Sequence, residues 1–304
     1  MNTKPFSRRS FLKVASAAGA GATAGLLLAA CRPAAAPVAP VAPAAQPAAP
    51  AAPAIPVVDI MASEYAFALP QKVPAGLVTI NFMNHGKELH FADALRLSKD
   101  ISLADIVKKL DSPEPPDFLD QTQSMSTGIN SPGISQQVTV KLVPGKYFVA
   151  CWVPAPDGKP HAAKGMVGIF EVMESKDAQA AEPAADLAIT LNKYSVDFPK
   201  AIGAGKLTWK VVNASGNPQA GGVNIVQLAA GKTFEDVDKG FQTGDMSGIA
   251  GAFGGVGGAG NKAWMTIDLK PGEYWLQTNV PDPKAPPPAK DQQPKTIAIQ
   301  FTVK

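Results

Sequence analysis

The chain has 304 residues, with 28 Lys and Arg against 25 Asp and Glu, which gives a formal net charge of +3. Four of the basic residues and none of the acidic ones lie in the first thirty positions, so the rest carries 24 basic and 25 acidic residues. A protein with this charge balance has no excess of basic residues with which to bind nucleic acid, so no nucleic-acid partner is expected. The length is sufficient for two domains of ordinary size.

Residues 1–31 have the organisation of an export signal. The run 7–13, SRRSFLK, resembles the twin-arginine signal and leads into an alanine-rich apolar stretch. The run 28–31, LAAC, resembles a lipoprotein processing box, in which Cys31 becomes the acylated first residue. The alternative is an uncleaved apolar anchor, although the segment is short and glycine-rich for a membrane span. Both interpretations place the mature protein outside the cytoplasm, in the periplasm or on the outer face of the cytoplasmic membrane, with its N-terminus anchored in the membrane.

Composition divides the mature chain into four segments. Residues 32–56 are almost entirely Ala and Pro, a composition that favours an extended, semi-rigid linker and cannot build a core. Residues 174–185, rich in Ala and Glu, form a second and shorter linker. These breaks predict a first domain over residues 57–173 and a second over residues 186–304.

The two predicted domains share an internal repeat. The run 144–149, PGKYFV, matches 271–276, PGEYWL, and each follows a strand-like run with alternating apolar residues, over 137–142 and 264–269. The Pro-Gly pairs are turn signals, so each pattern is interpreted as a β-hairpin. Many short strands joined by turns predict that each domain is an antiparallel β-sandwich.

One short helix is predicted in each half. Ser102 with Asp105, and Thr233 with Asp236, have the three-residue spacing of a capping box, in which a hydroxyl and a carboxylate satisfy free amides at a helix start. The fold class predicted for the chain is therefore all-β, with two tandem sandwiches that each carry one short helix.

Cysteine usage indicates a special role for one thiol. The chain has two cysteines, and with Cys31 acylated, Cys151 has no partner for a disulfide. An exported protein exposes a free thiol to oxidation, which favours a metal-bound or reactive cysteine. The alternative is that Cys151 is a small apolar core residue.

Three further potential metal ligands accompany Cys151. His161 and Met166 follow it in the chain, and His90 lies upstream. A thiolate, two imidazoles and a weak thioether are the donors of a blue-copper site. Each residue alone is more often structural, but the second half repeats the strands without any Cys or His and has Thr278 opposite Cys151. This contrast favours a single metal site, in the first half.

The residues around these donors resemble the cupredoxin family, which includes plastocyanin and azurin. The runs 147–151, YFVAC, and 161–168, HAAKGMVG, resemble the C-terminal cupredoxin signature, and 84–90, NHGKELH, resembles the segment that supplies the first histidine. The resemblance covers residues 57–173, and its fold part extends to the second half. It implies two cupredoxin-like Greek-key sandwiches, of which the second is degenerate, and one type 1 copper with four ligands: His90, Cys151, His161 and Met166. His85, the spare candidate for His90, is expected to face solvent.

The predicted function is that of a membrane-tethered blue-copper protein that transfers single electrons between redox protein partners. Copper nitrite reductases and multicopper oxidases add a second, histidine-rich site, which the three histidines of this chain cannot fill. The chain is therefore not expected to be an enzyme. Two alternatives stay open: a copper-free exported lipoprotein with a structural, adhesive or binding role, and a protein for copper storage or delivery.

One further motif is interpreted as a false match. Residues 255–260 fit the GxGxxG pattern of dinucleotide-binding folds. A strand pattern follows them, whereas dinucleotide binding requires that the glycines open a helix. The run is therefore interpreted as a glycine-rich loop.

Overall fold

A computed structural model describes residues 53–110, 117–175, 180–217, 220–258, 262–284 and 295–304. The predicted signal, the lipidation site Cys31 and nearly all of the first linker lie outside the described residues. Within the described ranges, none of the helices combines the length and the apolar character that crossing a bilayer requires. All of these ranges belong to one compact unit.

The described ranges contain eighteen strands and two α-helices, divided equally between the halves of the chain. The first half contains β1 (Val57–Ser63), β2 (Ala66–Ala68), β3 (Lys72–Pro74), β4 (Gly76–Asn84), β5 (Asp93–Leu97), α1 (Leu103–Leu110), β6 (Leu119–Ser126), β7 (Ser135–Leu142), β8 (Gly145–Ala150) and β9 (Val167–Met173). The second half contains β10 (Leu187–Leu191), β11 (Val196–Asp197), β12 (Ala201–Ile202), β13 (Gly205–Asn213), β14 (Val223–Leu228), α2 (Phe234–Thr243), β15 (Ile249–Gly258), β16 (Lys262–Leu269), β17 (Gly272–Pro281) and β18 (Thr296–Val303).

The strands form two large sheets. One sheet has the order β11-β10-β13-β16-β7-β4-β1-β2, and the other has the order β12-β18-β17-β14-β15-β6-β5-β8-β9-β3. Strands β1–β9 and β10–β18 occupy equivalent places, one for one. Most neighbours are antiparallel, whereas β1–β4 and β3–β9 are parallel, as are their counterparts β10–β13 and β12–β18. The predicted all-β fold of two cupredoxin-like sandwiches, each with one helix, is confirmed. The domain boundaries at 57–173 and 186–304 stay a prediction.

Each sheet continues from one half of the chain into the other. β7 pairs with β16, and β6 pairs with β15, in both cases antiparallel. The β7–β16 register is centred on Val138 and Met265, which lie opposite each other and are fully buried. Because equivalent strands meet antiparallel, the two halves are related by a pseudo-two-fold axis at this point. Main-chain pairing thus joins strands that would be open edges in an isolated sandwich.

The two Pro-Gly turns connect strands of different sheets, so the prediction of β-hairpins at these points is wrong. β7 lies in the eight-stranded sheet and β8 in the ten-stranded one, and β16 and β17 are divided in the same way. The hydroxyl of Tyr147 donates to the carbonyl of Val143 at 3.1 Å, and Tyr274 makes the equivalent bond to Lys270 at 3.0 Å. A tyrosine bonded to the backbone in this way braces a corner of a β-sandwich. The turn signal locates the corner, but it does not specify which sheet the next strand joins.

Both helices begin at the predicted caps. The hydroxyl of Thr233 accepts a bond from the amide of Asp236, whose carboxylate accepts from the amide of Thr233 at 2.8 Å. Ser102 accepts from the amide of Asp105 at 3.2 Å. These bonds satisfy amides that have no partner within the first turn of a helix.

The glycine run at 255–260 is strand rather than loop over its described part, which corrects the loop interpretation. Residues 255–258 belong to β15. A Cβ at Gly255 would collide with the carbonyl oxygen of Val223 in β14, so glycine permits the close approach of the two strands. A strand at this place does not provide the strand-to-helix turn on which dinucleotide phosphates bind.

Candidate metal centre

The centre lies where β8 ends and the chain turns back toward β9. Cys151 directly follows β8, and its amide donates to the carbonyl of Met166 at 3.2 Å. The carbonyl of Cys151 accepts from the amide of Ala162 at 2.8 Å. These bonds tie both ends of the loop to the cysteine, so the loop closes over the thiol.

The loop itself has a defined shape. Pro154 and Pro160 face each other in an isolated β-bridge, and the amide of His161 donates to the carbonyl of Val153 at 2.8 Å. His161 then begins a short 3₁₀ helix, His161–Lys164. The nine residues between Cys151 and His161 therefore return the imidazole to the thiol.

His90 reaches the same place from the segment between β4 and β5. Its amide donates to the carbonyl of Asn130 at 3.1 Å, and its carbonyl accepts from the amide of Asn130 at 2.9 Å. The side chain of Asn84 donates to the same carbonyl of Asn130 and accepts from the amide of Gly86, both at 2.8 Å. The asparagine of the cupredoxin-like run thus shapes the segment that carries the first histidine.

Three of the four predicted ligands meet with their donor atoms facing one another. The Nδ1 atoms of His90 and His161 are 3.1 Å apart, and the Sγ of Cys151 lies 3.9 Å and 3.5 Å from them, respectively. All three side chains are buried. A triangle of this size accommodates one ion with metal–ligand bonds of about 2.0–2.3 Å to each atom. A thiolate and two imidazoles in this arrangement fit copper.

Met166, the fourth predicted ligand, lies in the same core cluster as Cys151 and is fully buried. Its amide donates to the carbonyl of His161 at 3.0 Å. The backbone of Met166 is therefore tied to two of the other three residues. Its role as the axial thioether stays a prediction.

The outer nitrogens of the two imidazoles have different surroundings. The Nε2 of His161 lies 2.8 Å from a carboxylate oxygen of Glu88, whose other oxygen accepts a bond from the hydroxyl of Tyr65 at 3.2 Å. The Nε2 of His90 is buried, has no hydrogen-bond partner among the described residues, and faces Gly86. With Nε2–H on each ring, both Nδ1 lone pairs point toward Cys151.

Burial controls the protonation of the three donors. It lowers the pKa of His90 to about 4, with a smaller contribution from the neighbouring His161. It also lowers the pKa of His161, against the opposing effect of Glu88. Burial raises the pKa of the Cys151 thiol to about 11. At neutral pH the metal-free site therefore holds two neutral imidazoles and a protonated thiol, and a metal ion must displace the thiol proton.

The third histidine lies outside the cluster, and the described residues of the second half contain no comparable group. His85 is exposed, as predicted, and does not join the cluster. In the second half the hydroxyl of Thr278, opposite Cys151 in the repeat, donates to the carbonyl of Ile297 at 2.9 Å. Within the described ranges, the group formed by His90, Cys151 and His161 is the one cluster of His, Cys, Asp and Glu with metal-binding geometry.

Two pairs of residues at the site were missed by the sequence reasoning. Glu88 and Tyr65 contact His161, and Glu88 lies only two positions before His90 in the recognised run. In the second pair, Trp152 donates from Nε1 to the carboxylate of Asp93 at 3.1 Å. Burial raises the pKa of Asp93 to about 6. No sequence spacing pairs these residues, since the contacts depend on how the loops fold together.

Trp152 and Asp93 also line a cleft of about 460 Å³. Phe91 lies in its wall, and the second half contributes residues such as Asn224 and Phe241. The indole that follows the cysteine in the chain therefore faces a space shared by the two halves.

Comparison with known proteins gives structural matches only. No family model and no curated protein matches the chain. Auracyanin of Roseiflexus castenholzii is 28% identical over 40% of this chain and 99% of its own, with a TM-score of 0.28. A multicopper oxidase is 15% identical over 82% of this chain and 88% of its own, with a TM-score of 0.24. The copper-containing nitrite reductase of Thermus scotoductus is 14% identical over 83% of this chain and 62% of its own, with a TM-score of 0.23.

The prediction that the chain is not an enzyme is wrong. The solved structures similar to this chain include two that are named as copper enzymes, an oxidase and a reductase.

The fold and the donor set define the class of protein. Two cupredoxin-like sandwiches are present, and the buried thiol and imidazoles of the first match the donor set of a type 1 copper site.

Proposed function

We propose that this protein transfers single electrons between redox partners by means of one copper ion held by four residues: His90, Cys151, His161 and Met166. The observation that supports the proposal is the buried triangle formed by the two Nδ1 atoms and Sγ. When bound, copper supplies a centre that gains and loses one electron.

The residues of the site provide what such a centre needs. The donor atoms face one another, and backbone bonds fix the cysteine to both ends of its loop. A site whose ligands are held by backbone bonds changes little in geometry between oxidation states, and the reorganisation energy of electron transfer is then small. The buried, largely apolar surroundings exclude water from the donors, and this affects the reduction potential.

The proposal includes a membrane tether. Acylation of Cys31 would anchor the chain on the outer face of the cytoplasmic membrane, and an Ala/Pro-rich linker over 32–56 would span about 80 Å at the rise of a polyproline-type segment. Such a tether confines the copper site to the neighbourhood of membrane-bound redox proteins, which we propose as its partners.

The visible spectrum of the oxidised, copper-treated full chain tests the proposal. We expect an intense thiolate-to-copper absorption, one copper per chain and the release of about one proton per copper bound at pH 7, because the thiol is protonated beforehand. Cys151→Ser is expected to remove the absorption. His85→Gln is the matched control, since it removes an exposed histidine near the site and should leave the spectrum unchanged.

Two further outcomes decide between the proposal and its alternatives. A colourless protein that binds no more copper than Cys151→Ser would contradict electron transfer by copper and favour the copper-free lipoprotein. For the tether, Cys31→Ser is expected to move the protein from the membrane fraction to the soluble fraction, while an unchanged membrane fraction would favour the uncleaved anchor.

A further inference from the structure

Glu88 occupies a position from which it can control His161. Its carboxylate lies 2.8 Å from the Nε2 of His161, and the imidazole is fully buried. Nδ1 of the same ring faces the thiol of Cys151 and the other imidazole. A carboxylate accepts hydrogen bonds and donates none when ionised, so Nε2 must carry the proton of the neutral ring.

Glu88 is itself fixed on several sides. The hydroxyl of Tyr65 donates to its second oxygen at 3.2 Å, and the side chain of Asn84 donates to its backbone carbonyl at 2.8 Å. The ammonium group of Lys164 lies over the ring of Tyr65, 5.0 Å from its centroid. The side chain of Glu88 is 29% exposed, so part of the carboxylate charge acts through protein rather than through water. A carboxylate held in this way directs the ring more firmly than a mobile surface residue does.

We propose that Glu88 is a positioning residue for the copper site: it fixes the His161 tautomer that leaves Nδ1 free for the metal, and its negative charge favours the cupric over the cuprous state. This inference rests on the proposed copper-binding function. The charge argument follows from Coulomb's law, because a carboxylate beside the ligand stabilises a dipositive ion more than a monopositive one. The contact also covers the outer edge of the imidazole, which is consequently shielded from a docking partner.

The first test uses the copper-free protein, so it does not depend on the proposed function. Long-range proton–nitrogen NMR spectra of the histidine rings identify the tautomer of His161. We expect Nε2–H in the wild type and in Glu88→Gln, whose amide oxygen still accepts a bond. Glu88→Ala is expected to yield a mixture of tautomers. A wild-type ring protonated on Nδ1, or a tautomer unaffected by Glu88→Ala, would overturn the positioning role.

The second test measures copper affinity and reduction potential in the loaded protein. Loss of an outer carboxylate typically weakens metal binding 10- to 100-fold. We expect Glu88→Gln to weaken cupric binding by about that factor with little change in cuprous binding, and each tenfold difference raises the potential by about 59 mV. Asp59→Asn is the matched control. It removes an exposed carboxylate that accepts a bond from the side chain of Asn81 at 2.9 Å, and its effect should be much smaller.

The outcomes separate this inference from the proposed function. A protein that binds no copper but shows the expected tautomers would refute the proposed function and leave the fixing of the ring by Glu88 intact. A copper-loaded Glu88→Gln protein with the wild-type potential, or with a shift equal to that of Asp59→Asn, would refute the charge effect. Loss of stability without change in tautomer or potential would show that Glu88 has a structural role only.

Discussion

Lowering the pH from 7.5 to 4.5 is expected to destabilise the copper-free protein by about 2.5 kcal/mol through His90 alone. His90 is fully buried, and burial lowers its pKa from 6.5 to about 4. In the unfolded chain the imidazole binds a proton below about pH 6.5, whereas in the folded protein it does so only near pH 4. Between these values unfolding takes up a proton, so the free energy of unfolding falls as the pH falls.

The magnitude follows from the two pKa values. One pH unit between them is equivalent to about 1.4 kcal/mol, and pH 4.5 lies about two units below the unfolded value and half a unit above the folded one. Urea denaturation of the copper-free wild type and of His90→Gln, each at pH 7.5 and 4.5, measures the effect. The wild type should lose about 2.5 kcal/mol more than the variant, because Gln has no proton to gain.

The comparison isolates His90 from the other titrating groups. The carboxylates are present in both proteins, so their contributions cancel to a first approximation, and the coupling of His161 to His90 is smaller than the effect of burial. Equal losses in the wild type and in His90→Gln would refute the reasoning, since they would mean that the fold does not hold His90 in its neutral form.

Three further results are expected. Asp93→Asn should stabilise the copper-free protein by up to about 3 kcal/mol at pH 7 and by almost nothing at pH 3.5. Burial raises the pKa of Asp93 to about 6, so folding opposes the ionisation of this carboxyl at neutral pH. Urea denaturation at the two pH values measures the difference. Gly86→Ala should weaken copper binding at least tenfold in competition titrations, since the new Cβ would lie 2.6 Å from the Nε2 of His90, while Gly203→Ala, with open space around it, should not. Calorimetry should show a single unfolding transition for the described unit, because both sheets continue through the two halves; two separate transitions would contradict this.

Local patterns predict the strands and the repeat well because they depend on short-range chemistry. The alternating run at 137–142 lies within β7, and the capping pairs at Ser102 and Thr233 begin the two helices. The nearness of Cys151 and His161 also follows from local sequence, because they belong to one loop whose ends are hydrogen-bonded to each other.

Contacts between distant segments could not be predicted from the sequence. Nothing in the run that contains the Pro-Gly turn after β7 indicates that the next strand joins the other sheet. The bond between Glu88 and His161 joins residues 73 positions apart, and that between Trp152 and Asp93 joins residues 59 positions apart. Pairing of β7 with β16 depends on how well the edge strand of one half fits the edge strand of the other, and the residue pattern of a single strand does not specify this.

The second half, although it has no metal cluster in its described residues, supports the first ligand of the site. The segment 129–131 pairs with His90 on one side, through Asn130. On its other side it bonds to β15, where the amide of Ser131 donates to Ala252 and the carbonyl of Ile129 accepts from Gly254, both at 2.8 Å. The backbone of His90 is thus connected to the second sandwich through one intervening segment. The second sandwich therefore contributes to the site through its edge, because this edge fixes a loop that a single sandwich would leave open on one side.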